Sequence, residues 1–309
     1  MLALGEALVA RGHEVTLQTW RRWESAATDA GMGFAAAPEY QVFPTRERPL
    51  KPYAAVVRAA RETQPVVRET APDVAVSDIL TPAPALAAEL EGVPVATLVP
   101  HLHPDLPPGF PPYSIGARLP RTAAGRALWR STDRLVARGL EQGRREYNDC
   151  RARLGLGPLP WVHTGVSRSL ALVASLPQLE YPRDWPPYLR VVGPLLWEPP
   201  AEPVAPPPGE GPVVLVAPST AQDPGHRLLR AALEGLAREP VRVIATWNGR
   251  EPSPRLRAPA NAVLVPWLSY SRTMPACDLV VTHGGHGTLT RALSCGCPVV
   301  VSPAGGDLA

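Results

Sequence analysis

With 309 residues, 45% of them apolar, the chain is long enough for two domains and rich enough in apolar side chains for two cores. A net charge of +3 with no block of Lys and Arg argues against a nucleic-acid partner. Four cysteines (Cys150, Cys277, Cys295, Cys297) make no disulfide framework and hold no zinc spacing, and no apolar run of about 18 residues or more occurs, so a cytoplasmic protein without metal or membrane span is expected.

The chain opens on a helical pattern over 2–11 that stops at Gly12, and 13–19 then alternates like a strand. An α/β domain of this kind places a strand and a ligand-binding turn ahead of such a helix. Helices are expected near 21–30, 51–70 and 83–91, with strands at 73–77 and 93–98. This alternation predicts a parallel sheet. Residues 99–120 hold seven prolines and read as a surface loop that shapes a pocket, with His101 and His103 as surface or lining residues. A helix near 121–154 follows. Eight prolines fall within 194–212 without periodicity, which predicts a semi-rigid linker between domains 1–193 and 213–309. Beyond it come a strand at 212–217, a helix at 225–238, and strands at 241–246 and 262–265.

The last 32 residues carry the most chemistry. Leu279-Val280-Val281-Thr282 runs into His283-Gly284-Gly285-His286-Gly287-Thr288, a helix begins there, and Cys297 to Val301 returns as a buried strand before Pro303-Ala304-Gly305-Gly306-Asp307. Glycines let a backbone approach a ligand closely, and the unpaired amides at a helix start present about half a positive charge. The favoured ligand is therefore an anion. His283 and His286 add donors, and Thr288 either caps the helix or reaches a ligand oxygen. No Lys follows the glycines and the spacing is not the dinucleotide fingerprint, so a two-phosphate group without a fixed magnesium fits best. Taken alone, Ser219 and Thr220 are turn formers or ligands, Trp267 is core or a stacking platform, Asp307 is a turn residue, and Asp78 is a helix N-cap before Thr81-Pro82.

This segment resembles the donor-binding signature of the UDP-glycosyltransferase family of the GT-B fold, in particular actinobacterial members that decorate natural products. The resemblance implies two Rossmann-like domains joined by the Pro-rich linker. It implies that His283 and the Gly284–Thr288 turn hold the donor diphosphate, with Ser219 and Thr220 reaching it from the other side. Trp267, in Val265-Pro266-Trp267, would meet the nucleotide base and Asp307 the transferred sugar, although Leu308 stands where the family usually has Gln. It further implies that Asp78 orients a catalytic histidine belonging to a Gly-His turn ahead of residue 1, and that further strand-helix units follow residue 309. The expected reaction is metal-independent, inverting transfer of a hexose or deoxyhexose from a UDP- or dTDP-sugar to a hydroxyl of a small apolar acceptor, with no cofactor. A non-catalytic nucleotide-sugar-binding or auxiliary protein, or an inactive fragment of the enzyme, is the competing reading, and a homodimer or an auxiliary protein is the macromolecular partner considered. An epimerase would need carboxylates and histidines around the sugar, and beyond Asp307 the ligand region offers none.

Overall fold

The computed structural model describes residues 1–38, 54–112, 115, 117–219, 225–249, 251–252 and 256–303. Two compact units emerge, one formed by Met1–Phe110 with Pro120–Leu195 and the other by Pro111–Leu119 with Leu196–Ala309.

The first unit begins with α1 (Leu2–Val9), which ends before Gly12 at φ 84°. Strand β1 (Thr16–Thr19) leads through a short 3-10 turn into α2 (Glu24–Asp29), and β2 (Gly33–Ala36) returns parallel to β1. Ala27 and Met32 close a small core over Leu17. Helix α3 (Ala54–Thr70), whose expected start near 51 lies outside the described residues, is followed by β3 (Ala75–Asp78), α4 (Ala83–Leu90) and β4 (Val95–Val99).

The helix expected over 121–154 is two helices, α5 (Ala123–Arg130) and α6 (Asp133–Arg153). The Thr122 side chain caps α5 by accepting the Gly125 N–H at 3.1 Å. At the break, the hydroxyls of Ser131 and Thr132 donate back to the carbonyls of Leu128 and Trp129 at 2.6 and 2.7 Å, a local bond that competes with helix propagation. Arg151 of α6 is buried and forks onto Glu89 of α4 at 2.6 and 2.7 Å, so the two helices are locked by a bidentate pair. Strands β5 (Leu170–Val173) and β6 (Leu189–Val191), unanticipated from the pattern, complete a parallel sheet in the order β3-β4-β5-β6.

The second unit contains β7 (Val213–Ala217), α7 (Arg227–Leu236), β8 (Arg242–Thr246), β9 (Ala262–Val265), α8 (Tyr270–Thr273), β10 (Leu279–Thr282), α9 (His286–Ser294) and β11 (Val299–Val301). All are parallel, in the order β11-β10-β7-β8-β9. Every residue of β7 is buried, as a central strand covered on both faces requires. Leu215 packs with Ile244, Leu268, Met274 and Val280 on one face, while Val216 meets Leu229 and Leu233 of α7 on the other. The chain leaves β7 to build β8 and β9 on one side and β10 and β11 on the other. The strand order therefore reverses between β7 and β10, and the carboxyl ends at such a switch point are where open α/β sheets bind ligands.

Within this unit the Pro-rich segment is pinned rather than free. Glu198 accepts from the hydroxyls of Ser269 and Ser271 at 2.7 and 2.5 Å and from the Ser271 N–H, and lies 3.7 Å from Arg291 of α9. The Ser269 N–H donates to the Glu202 carbonyl at 2.9 Å. Burial opposes the Glu198 charge, but the Ser271 and Ser269 hydrogen bonds and Arg291 outweigh it and hold the carboxyl below its usual range. All four cysteines are free thiols; Cys297 Sγ donates to the Met274 carbonyl at 3.0 Å, and burial pushes the Cys277 thiol up to about 12. Among the described residues no helix is long and apolar enough to cross a membrane.

Candidate functional site

The β10–α9 bend is built by the residues its sequence singled out. Thr282, fully buried at the strand end, accepts the Gly284 N–H on Oγ1 at 3.4 Å and lies 3.4 Å from His283 Nδ1. Gly284 sits at φ 91°, where a side chain costs about 1–3 kcal/mol. Gly285 has an ordinary φ of −54°, and what its missing side chain provides is space. A Cβ there would lie 2.4 Å from His283 Nε2 and 2.8 Å from Cε1, so the imidazole is seated in the space the missing methyl leaves. His283 is buried, His286 and Thr288 are half-buried, and Gly287 is exposed with open space where a Cβ would be. Helix α9 starts with neither a side-chain cap at Gly285 nor an acidic residue in its first turn, so its positive end is not met from within the helix itself.

Two other strand ends share this edge of the sheet. Ser219, buried, follows β7 and Pro218; Trp267, half-buried, follows β9 and Pro266. The core residue beside Trp267 is Leu268, 1% exposed, whereas the indole contacts Tyr270 with centroids 6.3 Å apart at 60°. Thr220, Asp307 and Leu308 lie outside the described residues.

A residue not anticipated from the sequence ties these ends together. Asn248 occupies the left-handed region at φ 51°, followed by Gly249 at φ 78°. Its Nδ2 donates to the Pro218 carbonyl at 2.7 Å, and its Oδ1 accepts from the Tyr270 hydroxyl at 2.8 Å. Gly249 N–H and the Thr246 hydroxyl both donate to the Pro266 carbonyl, at 2.8 and 3.2 Å. Burial pushes the Tyr270 phenol up, so it stays a neutral donor. The Asn-Gly pair is a turn signal by itself, but contacts 17 to 30 residues away along the chain leave no local trace.

In the first unit, Asp78 ends β3. It caps no helix: Oδ1 accepts the Leu80 N–H at 2.8 Å in an Asx turn, and α4 has Pro82 at its N-cap position. Asp78 lines a cavity of about 530 Å³ whose walls include Leu17, Trp20, Trp23, Val56 and Ala59, with Gln18, Thr19 and Thr63 as polar points. Size and lining match a site for a small apolar molecule held by few polar groups. Gln18 Nε2 is buried there without a hydrogen-bond partner among the described residues.

His103 is neither surface nor cavity lining. It is buried at 3% exposure, its ring Nδ1 3.2 Å from Arg183, and its N–H donates to the Glu180 carboxylate at 3.2 Å. Burial, reinforced by the Arg183 charge, lowers its pKa to about 4, so the ring is neutral at physiological pH. His101 is half-buried, with Nδ1 2.7 Å from the Leu102 carbonyl.

Comparison with known proteins gives a consistent set of relatives. No family model matches the chain. It is 29% identical over 342 residues to 4'-demethylrebeccamycin synthase of Lentzea aerocolonigenes, covering 98% of this chain and 79% of that protein. It is 31% identical over 240 residues to a PGL/p-HBAD biosynthesis rhamnosyltransferase of Mycobacterium bovis (strain BCG / Pasteur 1173P2), covering 76% of this chain and 52% of the relative. Among solved structures, the glycotransferase of kitacinnamycin superposes with a TM-score of 0.70 at 21% identity, covering 99% of this chain and 77% of that one. The glycosyltransferase VinC in complex with dTDP superposes with a TM-score of 0.62 at 20% identity, covering 98% and 77%.

Proposed function

We propose, for a chain that is a glycosyltransferase of the GT-B fold by its relatives and its architecture, the transfer of a hexose or deoxyhexose from a UDP- or dTDP-sugar to a hydroxyl of a small apolar acceptor. The observation that carries the donor half of this reading is the His283 imidazole seated over Gly285 at the start of α9, which has no side-chain cap, at the strand ends where the strand order reverses.

A leaving nucleoside diphosphate needs its growing charge met as the glycosidic bond breaks. In this scheme the amides of the α9 start and His283 meet one side of the diphosphate, Ser219 and Thr220 the other, and no cofactor takes part. His286 and Thr288 extend the donor set, Trp267 stacks on the base, and Asp307 contacts sugar hydroxyls. Each charge-assisted hydrogen bond contributes about 1.5–3 kcal/mol, so three or four suffice for micromolar donor affinity after ordering costs. The acceptor half rests on the apolar cavity of the first unit, with Asp78 at its wall as the carboxylate that orients a base. The expected stereochemical outcome is inversion.

Calorimetric titration of UDP and dTDP into the protein tests the donor reading. Micromolar binding of either, lost in His283→Ala, is the expected result; absence of binding at millimolar nucleotide refutes it.

A further inference from the structure

Helix α5 and the first turns of α6 carry exposed apolar side chains. Leu128 and Leu135 are 70% and 72% exposed, the most exposed large apolar side chains among the described residues. Ser131 and Thr132, between the helices, both keep right-handed helical dihedrals. Ala124, Leu128, Ser131 and Leu135 then recur at the i, i+4, i+7, i+11 spacing of one stripe, and all four are exposed.

Cations accompany the stripe. Arg121, Arg126, Arg130, Arg134 and Arg138 recur every four or five residues, and Asp133 is the only acid between 121 and 138. None of these five guanidinium groups makes an ion pair or hydrogen bond among the described residues; pairing resumes farther along α6, where Glu141 takes both Arg144 and Arg145. By helical angle Arg134 and Arg138 flank the leucine stripe, Arg121 stands at its head, and Arg126 and Arg130 add charge from the far side, about one helix diameter away. A sheet of anionic headgroups over an acyl interior satisfies both components, since arginines meet phosphates and leucines enter the boundary below.

We propose that the α5–α6 ridge docks this protein on anionic membrane surfaces, with Arg134 and Arg138 on lipid phosphates and Leu128 and Leu135 inserted beside them. The docking is reversible and leaves the chain peripheral.

Co-sedimentation of the protein with phosphatidylcholine vesicles, with and without phosphatidylglycerol, tests this. Binding is expected only to the anionic vesicles, falling steeply toward about 1 M salt, where the screening length is about 3 Å. One arginine near such a surface strengthens partitioning about fivefold, so the double variant Arg134→Glu/Arg138→Glu is expected to bind at least about 25-fold more weakly. Leu128→Ser/Leu135→Ser, which keeps all charges, should remove the part of binding that survives salt. Circular dichroism melts of both variants establish that they remain folded. Equal binding to neutral and anionic vesicles, undiminished binding after charge reversal, or binding to a soluble polyanion as tight as to vesicles and indifferent to the leucines would each overturn the proposal.

Discussion

Replacing Gly285 by Ala tests the donor bend while leaving the fold alone. The backbone at φ −54° accepts an alanine, so no strain enters there. The new Cβ would stand 2.4 Å from His283 Nε2, against the 3.4 Å of an ordinary contact, and the ring must retreat by about 1 Å. It is the far end of a rotatable side chain, so the protein yields at little cost to stability, but the imidazole loses the position from which it would meet a phosphate. Losing one charge-assisted hydrogen bond of about 1.5–3 kcal/mol weakens UDP or dTDP about 10- to 150-fold. The assay is isothermal titration beside a thermal melt, repeated in a His283→Ala background. If the methyl acts through the ring, the double variant binds no more weakly than His283→Ala alone. Parental affinity in Gly285→Ala, or full additivity in the double variant, would refute the reasoning.

Asn248→Gly relieves the left-handed backbone while deleting the side chain that joins Pro218 to Tyr270; nucleotide affinity should fall about tenfold, the equivalent of about 1.4 kcal/mol, and Asn248→Asp, which sets a carboxylate against the Pro218 carbonyl, should fall further. Unchanged titrations for both would remove Asn248 from the site. Glu198→Gln should cost about 1–3 kcal/mol of stability at pH 7 by denaturant melts. Because the folded carboxyl is held below its ordinary value, this stabilisation is complete above the unfolded pKa of about 4.3 and fades as the pH falls through the folded one, so parental and variant curves should converge in acid. Ala59→Trp, projecting into the 530 Å³ cavity, should raise KM for an apolar acceptor and leave nucleotide affinity intact; a rise in both would unseat the cavity as the acceptor site.

What could be read from the chain and what could not divide by the range of the interactions. Leu279–Thr282 followed by two His and three Gly is a local pattern, and the strand, the bend and α9 formed where it pointed. Parallel pairing was legible from alternation. Strands β2, β5 and β6 were not, because three or four residues such as Gly-Phe-Ala-Ala or Leu-Arg-Val carry too little periodicity and are strands only through their neighbours. The break at Ser131–Thr132 lay in plain sight as two hydroxyls within a helical stretch. Asn248 read as a turn, and its role in holding Pro218 came only with the fold. His103 looked like a loop histidine; Arg183 and Glu180, about 80 residues away, make it an interior one.

The five buried residues of β7 sit between β8 and β10, whereas Ser219, Asn248, Trp267 and His283 follow the carboxyl ends of β7, β8, β9 and β10. Cooperative folding is thus vested in the strands, while recognition is delegated to short connections beyond them. Libraries that randomise Trp267, Gly287 and Thr288, which lie outside the buried core, should accordingly yield many folded variants with altered nucleotide or carbohydrate preference, making this half of the molecule a tractable starting point for laboratory evolution.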